Sequence, residues 1–342
     1  MQPKVLIIYT GGTIGMIEDV VTGQLKTMDS DLIYNHVPEL KRLDIDMTTL
    51  SFDVPIDSSM MNEKDWVRIA ETIYDNYSKY DGFVVLHGSD TMAYTASALS
   101  FMFDGLSKPI ILTGSQLPIG MIRTDGKENL ITAIEIAATK DAKGKALIQE
   151  VAIYFEYHLY RGNRSTKDSA SHFEAFRSPN YPELATAGVD IEFNREKLYR
   201  KTNSVVSINT VLNNRVGLIK FFPGLDIEIY KSVFDTNRVD GIIIESFGAG
   251  NAPIIDTLKE YCAEFINAGG SILNITQCTT GFVHQGMYET SSIFQEVGVI
   301  GGADMTTEAA VAKMMIALGE KNLEKRQEIL RSNLRGEMTI SS

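Results

Sequence analysis

A threonine or serine hydroxyl attacks a carbonyl only when a base takes its proton and N–H donors receive the oxyanion. Four short clusters in this chain carry such groups. Gly11-Gly12-Thr13-Ile14-Gly15 presents the hydroxyl of Thr13 between glycines that let a ligand approach closely. Gly88-Ser89-Asp90-Thr91 sets a hydroxyl beside a carboxylate, and Gly114-Ser115-Gln116 and Asp57-Ser58-Ser59 add further hydroxyls. Lys167, within Tyr160-Arg161-Gly162-Asn163-Arg164-Ser165-Thr166-Lys167, is a candidate base. That role needs burial to bring an ammonium toward neutrality; sequence alone favours a solvated loop lysine.

Each cluster has a plainer reading. A glycine turn after a first strand can bind dinucleotide phosphates, but the spacing is not G-x-G-x-x-G and no Gly-Lys-Ser/Thr loop is present. Ser89 and Asp90 stand where a helix over Asp90–Phe103 begins, and both are ordinary N-cap residues. Capping accounts for one of them. A carboxylate at a helix N-terminus stays ionised, which suits a group that orients an ammonium.

Parallel strands place these clusters. Val5–Thr10, Phe83–His87, Ile110–Thr113 and Val151–Phe155 are short apolar runs. Between them, apolar residues of Glu63–Ser78 recur at helical spacing behind a candidate cap, Asn62, and Asp90–Phe103 and Lys127–Ala138 also read as helices. This alternation predicts an α/β protein with a parallel-rich sheet, and ligands of such sheets bind beyond the carboxyl ends of the strands, where three of the clusters fall. A second α/β set uses strands Val216–Phe221, Gly241–Ser246, Ser271–Thr276 and Val299–Gly301, with helices near Pro253–Ala268 and Thr307–Leu318. The expected division is a larger N-terminal domain over 1–194, a polar linker over 195–212 and a smaller C-terminal α/β domain over 213–342.

Composition narrows the function. With 342 residues and 44% apolar residues the chain can bury two cores. Its 32 basic against 44 acidic residues give a net charge of −12, which disfavours nucleic acid and anionic membrane surfaces as partners. Two cysteines, Cys262 and Cys278, and five scattered histidines supply no disulfide framework and no metal spacing. No signal peptide or membrane-length apolar run is read, which points to the cytoplasm.

The segments Tyr9–Met16 (YTGGTIGM) and Asp81–Phe101 (DGFVVLHGSDTMAYTASALSF) resemble the two signatures of the bacterial-type L-asparaginase family, and most closely its type I, cytoplasmic branch. Leu159–Lys167, Gly248–Pro253 (GAGNAP), Thr276–Cys278 (TQC), Val299–Met305 and Asn333–Glu337 extend the resemblance over essentially the whole chain. It implies hydrolysis of L-asparagine, without a cofactor, through a β-aspartyl ester on Thr13. Ser89, Asp90 and Lys167 would form the supporting set, Ser58 and Ser59 would bind the substrate α-carboxylate, and Asp90 its α-amino group. It also implies a homo-oligomer, a dimer or a dimer of dimers (homotetramer), in which Asn251 reaches a neighbour's site; the plainer reading of Asn251 is a glycine-flanked turn.

The chain departs from the family pattern at several positions. Ser89 stands where threonine is usual, Met60 where aspartate often follows the serine pair, and Gln24-Leu25 follows Gly23 where relatives carry a tyrosine. Some type I relatives are activated by asparagine at a second site built from an arginine and the cysteine of TQC. Thr166 and Cys278 match, but Glu245 holds the arginine position and would repel an effector carboxylate, so weak or absent activation is expected. Cys278 reads as a buried core thiol. Glutamine is a second candidate substrate, because one methylene gives only about 1–3 kcal/mol of discrimination. A tRNA-dependent amidotransferase subunit or a non-catalytic amino-acid-binding module on the same fold are the alternatives.

Overall fold

The computed structural model describes residues 2–18, 25–27, 36–200, 205–285 and 289–340. Two compact units divide the chain, Met1–Thr210 and Val211–Ser342. Of the polar stretch expected to link domains, 201–204 lie outside the described residues. Just before them, Lys197 O accepts from Arg161 and from Tyr181, and Tyr199 N donates to Glu150, so these residues pack on the first unit.

The first unit is built on an eight-stranded sheet. Its strands are β1 (Lys4–Gly11), β2 (Asp46–Ile56), β3 (Gly82–Leu86), β4 (Ile110–Thr113), β5 (Val151–Phe155), β6 (His158–Arg161), β7 (Ala185–Ala187) and β8 (Ile191–Phe193). They lie side by side in the order β8-β7-β6-β5-β4-β3-β1-β2. The five strands from β2 to β5 run parallel, and β6, β7 and β8 extend the sheet in antiparallel steps. The central strands β3, β4 and β5 are buried at every residue, as expected of strands covered on both faces.

Three helices follow the reading frame of the sequence closely. Helix α1 (Glu63–Asn76) carries a capping box: Asn62 Oδ1 accepts from Lys64 N at 3.0 Å while Asp65 accepts from Asn62 N at 3.0 Å. Its stripe Trp66, Ile69, Ala70 and Ile73 is buried. Helix α2 (Met92–Met102) begins at Met92, two residues later than expected, because Ser89–Thr91 form a separate tight turn. Helix α3 spans Gly126–Ala138. The parallel arrangement sends the ends of β1, β3 and β4, and the start of the turn after β2, toward one sheet edge.

The second unit has four parallel strands in the order β9 (Val216–Lys220), β10 (Gly241–Ser246), β11 (Ser271–Thr276) and β12 (Ile300–Gly301). Four helices accompany them: α4 (Asp256–Asn267), α5 (Glu289–Val297), α6 (Thr307–Gly319) and α7 (Leu323–Arg331). Its core gathers Ile219, Ile242, Ile244, Leu258, Phe265 and Phe294. Among the described residues no helix is long and apolar enough to cross a membrane. The chain is therefore a two-unit α/β protein with a parallel-rich larger sheet and a smaller parallel one.

Candidate active site

Glycine contacts pack three clusters of the first unit together. Gly12, just past β1, has φ +84°, and a Cβ there would lie 2.4 Å from Gly88 N. A Cβ on Gly88 would in turn lie 2.5 Å from Ser58 Oγ. Only glycine allows both approaches. Thr13 follows at the start of a single turn, Thr13–Gly15, and is half-buried.

The serine pair behaves asymmetrically. Ser58 is buried (3% exposed), and its carbonyl accepts from Thr91 Oγ1 at 2.7 Å. Ser59 is exposed and turns back to Asp57, whose Oδ1 accepts from Ser59 N at 2.9 Å and Ser59 Oγ at 2.8 Å. The Ser59 N–H, helped by its hydroxyl, holds the Asp57 carboxyl below its ordinary range.

Lys167 is not a solvated lysine. Its side chain is only 17% exposed, and Nζ donates to Ser89 Oγ at 2.9 Å and to Asp90 Oδ1 at 2.6 Å. A short antiparallel pair, Thr166–Lys167 with Phe176–Arg177, carries it there. The capping reading of Ser89 and Asp90 fails for the same reason. Gly88 and Thr91, at the cap positions, use no side-chain cap, and both Ser89 and Asp90 turn to Lys167 instead. Asp90 keeps 64% of its side chain exposed, leaving oxygen surface for a ligand.

Behind the turn, His87 is fully buried and held between Gly88 O, 2.7 Å from Nδ1, and Thr95 Oγ1, 2.9 Å from Nε2. A carbonyl only accepts, so Nδ1 carries the proton and Nε2 accepts from Thr95. Thr95 Oγ1 accepts in turn from Trp66 Nε1 at 3.0 Å. Burial drives the His87 pKa down to about 4, so the ring is neutral and clamps the Gly88 carbonyl.

Gln116, which the sequence placed in the Gly114-Ser115-Gln116 cluster without a role, contacts the Lys167–Ser89 pair. Ser89 Oγ donates to Gln116 Oε1 at 3.3 Å, and Gln116 Nε2 donates to His172 O at 2.9 Å. Its place just past β4 put it at the edge where the other clusters sit, and only the fold shows which side chain of that cluster reaches Ser89.

The remaining expected residues lie elsewhere in the chain. Gly23 and Gln24 lie outside the described residues. Asn251 is in the second unit, in a tight turn where Phe247 and Asn251 exchange backbone hydrogen bonds at 3.0 and 2.8 Å. Cys278 is exposed rather than buried, because it follows β11 in a surface loop; the buried thiol is Cys262. Among the described residues no three His, Cys, Asp or Glu side chains come together in a metal-holding group.

The family model "Asparaginase, N-terminal" matches residues 4–199, and "Glutaminase/Asparaginase C-terminal domain" matches 215–330. The chain is 39% identical to L-asparaginase 1 of Escherichia coli K12, over 99% of both chains. It is also 39% identical to the 60 kDa lysophospholipase of Mus musculus, over 99% of this chain and 63% of that protein. The crystal structure of L-asparaginase I from Vibrio cholerae superposes with a TM-score of 0.90 at 39% identity, covering 99% of this chain and 100% of that one.

Proposed function

Since the chain belongs to the asparaginase family, we propose that it hydrolyses L-asparagine to L-aspartate and ammonia with Thr13 as nucleophile. The observation that carries this reading is the Lys167–Ser89–Asp90 set, held at 2.9 and 2.6 Å beside the glycine turn that Gly12 packs against.

The chemistry follows from these groups. Thr13 Oγ1 attacks the side-chain amide carbon, and N–H groups of the glycine turn and of Gly88–Ser89 receive the oxyanion. The Lys167–Ser89–Asp90 set takes up the proton that Thr13 Oγ1 loses and returns it to the leaving nitrogen, so the C–N bond breaks, ammonia departs and a β-aspartyl ester remains. Water then attacks that ester and releases aspartate. Ser89 Oγ is the hydroxyl through which Lys167 exchanges a proton, and Asp90 stabilises the ammonium that results. Ser58 and Ser59 receive the α-carboxylate, and the exposed face of Asp90 receives the α-amino group. The protein residues account for each step without a cofactor.

The assembly is proposed to be a homo-oligomer, a dimer or a dimer of dimers, with Asn251 facing a neighbour's site. Ile254, 61% exposed and close to Asn251 in sequence, supports an interface there. A cytoplasmic location is supported by cysteines that form no disulfide.

The test is ammonia release from asparagine and from glutamine, beside fatty-acid release from a lysophospholipid. Asparagine turnover is expected to be fastest. Turnover of the lysophospholipid alone would replace this reading with the one that the mouse relative's name carries.

A further inference from the structure

Gln116 ties together the two segments that deliver the Ser89–Lys167 pair. Its Oε1 accepts from Ser89 Oγ at 3.3 Å, and its Nε2 donates to His172 O at 2.9 Å. His172 sits in the loop between Thr166–Lys167 and Phe176–Arg177, the short antiparallel pair that carries Lys167. That loop is fastened on itself: His172 N donates to Ser169 Oγ at 3.0 Å, and Asp168 pairs with Arg177 at 2.7 Å. The backbone of Gln116 is held as well. Its N–H donates to both oxygens of Asp125, at 3.1 and 2.9 Å, and Asp125 is only 5% exposed.

These bonds fix which way the Ser89 hydroxyl points. A carbonyl only accepts, so the His172 oxygen selects the Nε2 end of the Gln116 amide and leaves Oε1 toward Ser89. Oε1 has no proton to give, so the Ser89 proton is directed at it. Lys167 Nζ, which also donates to Asp90 at 2.6 Å, then meets a lone pair of the same Ser89 oxygen at 2.9 Å. Serine carries a single heavy atom on Cβ, and its χ1 turns among three staggered wells that a β-branched residue would narrow. At position 89 the rotamer is therefore selected by partners, and Gln116 is a partner anchored at both its backbone and its amide.

We infer that Gln116 is a positioning residue: it holds the Ser89 hydroxyl in the rotamer that meets Lys167, doing with a hydrogen bond what a β-branch would do by crowding. The effect on rate rests on the proposed hydrolase reading, whereas the effect on the Ser89 rotamer does not. Without Oε1, Ser89 turns away from Lys167 in part of the molecules, and fewer of them hold the pair ready for proton exchange. Gln116 bonds to Ser89, His172 and Asp125 and, among the described residues, not to Ser58, Ser59 or Asp90, the groups assigned to the charges of the substrate. Its loss therefore falls on kcat rather than on KM.

The experiment removes the amide from the full-length protein in two backgrounds. Gln116→Met keeps the side-chain length and the backbone grip on Asp125 but has neither amide group. In the wild-type background it is expected to lower asparagine kcat by about 3- to 10-fold, the size of one hydrogen bond, with KM within about 2-fold. In the Ser89→Thr background the same substitution is expected to cost less than about 2-fold, because the β-branch then supplies the rotamer. Gln116→Asn, one methylene too short to reach both partners, should behave as Gln116→Met does. An equal fall in both backgrounds would make Gln116 a general support of the fold, and a raised KM at unchanged kcat would make it a substrate contact; either result overturns the inference. A crystal structure of Gln116→Met gives a readout that needs no activity, and Ser89 Oγ is expected there in more than one rotamer. A single Ser89 rotamer still on Lys167 overturns the inference even if the enzyme hydrolyses asparagine. Redistribution of Ser89 in a protein inactive on asparagine instead supports the positioning role and removes only the hydrolase reading.

Discussion

Lys167 and Ser89 are 78 residues apart in the chain, yet Nζ and Oγ meet at 2.9 Å. The contact joins the turn after β3 to a two-residue strand, and Asp90 at 2.6 Å completes it. In the proposed mechanism Lys167 exchanges a proton with the Ser89 hydroxyl, and Asp90 is its carboxylate partner. Lys167→Met is therefore expected to lower kcat by on the order of 10²- to 10⁴-fold, the range of general acid–base contributions. Lys167→Arg should not restore the rate, since a guanidinium does not give up its proton near neutrality. Steady-state kinetics on asparagine measure both, and a Lys167→Arg enzyme of normal kcat would remove the proton-transfer role.

Gly12 makes a second prediction. Its φ of +84° and the 2.4 Å that would separate a Cβ from Gly88 N leave no room for alanine, because the obstructing atom is backbone. Gly12→Ala is expected to lose stability by a few kcal/mol, combining strain with a clash, and to lose activity more than stability explains. Melting temperature and kcat/KM on one sample separate the two. An enzyme with normal values in both would mean that the turn relaxes freely.

His87 makes a prediction about acid. Its pKa is about 4 in the folded protein and about 6.5 in an unfolded chain. Between those values the unfolded chain binds more protons, so this contribution is fully present above pH 6.5 and is lost as pH falls toward 4. The loss amounts to about 3 kcal/mol when complete. Denaturant unfolding from pH 7 to 4 should therefore be steeper in pH for wild type than for His87→Gln. Parallel pH dependences would show that the ring is not the group that charges on unfolding.

How much of this was legible in the sequence depends on the range of the contact. Strands β3, β4, β5, β10 and β11 and the Asn62 cap could be read because apolar runs and caps are local. The glycine clusters could be read because the carboxyl ends of parallel strands bind ligands. The start of α2 could not. Ser89 and Asp90 look like caps, and only a partner 77 or 78 residues away diverts them. The burial of Lys167 depends on the same pairing, so local polarity suggested a solvent-exposed side chain. The left-handed backbone at Glu156, φ +42°, was invisible for a further reason: a glutamate between a strand and a tyrosine carries no sign of it. Cys278 was misread because a lone cysteine is usually buried, whereas here it follows a strand end into a surface loop.

Thr13 carries the most direct chemical prediction. If its hydroxyl takes the acyl group, Thr13→Ala should lower kcat by on the order of 10³-fold or more while asparagine still binds. Thr13→Ser keeps the oxygen and should keep measurable activity. Mass spectrometry of turnover quenched in Lys167→Met should find an aspartyl adduct on the Thr13 peptide. An adduct on Ser89, with near-normal turnover by Thr13→Ala, would move the nucleophile to the other hydroxyl.

Glu245 bears on regulation. It stands where some type I relatives carry the arginine of a second asparagine site, and it is only 8% exposed. Both of its oxygens are engaged: Thr307 Oγ1 donates to one at 2.6 Å, and Lys220 Nζ lies 3.3 Å from the other. Its backbone carbonyl accepts from Gln277 Nε2 at 2.7 Å, which ties the residue to the loop that carries Cys278. An effector would have to bring its α-carboxylate up to this carboxylate, and the Lys220 charge that could receive it is already paired. Initial rates against asparagine should therefore rise hyperbolically, and Glu245→Ala should leave the shape of the curve unchanged. A sigmoidal wild-type curve that Glu245→Ala makes hyperbolic would show instead that Glu245 helps to bind an activating asparagine.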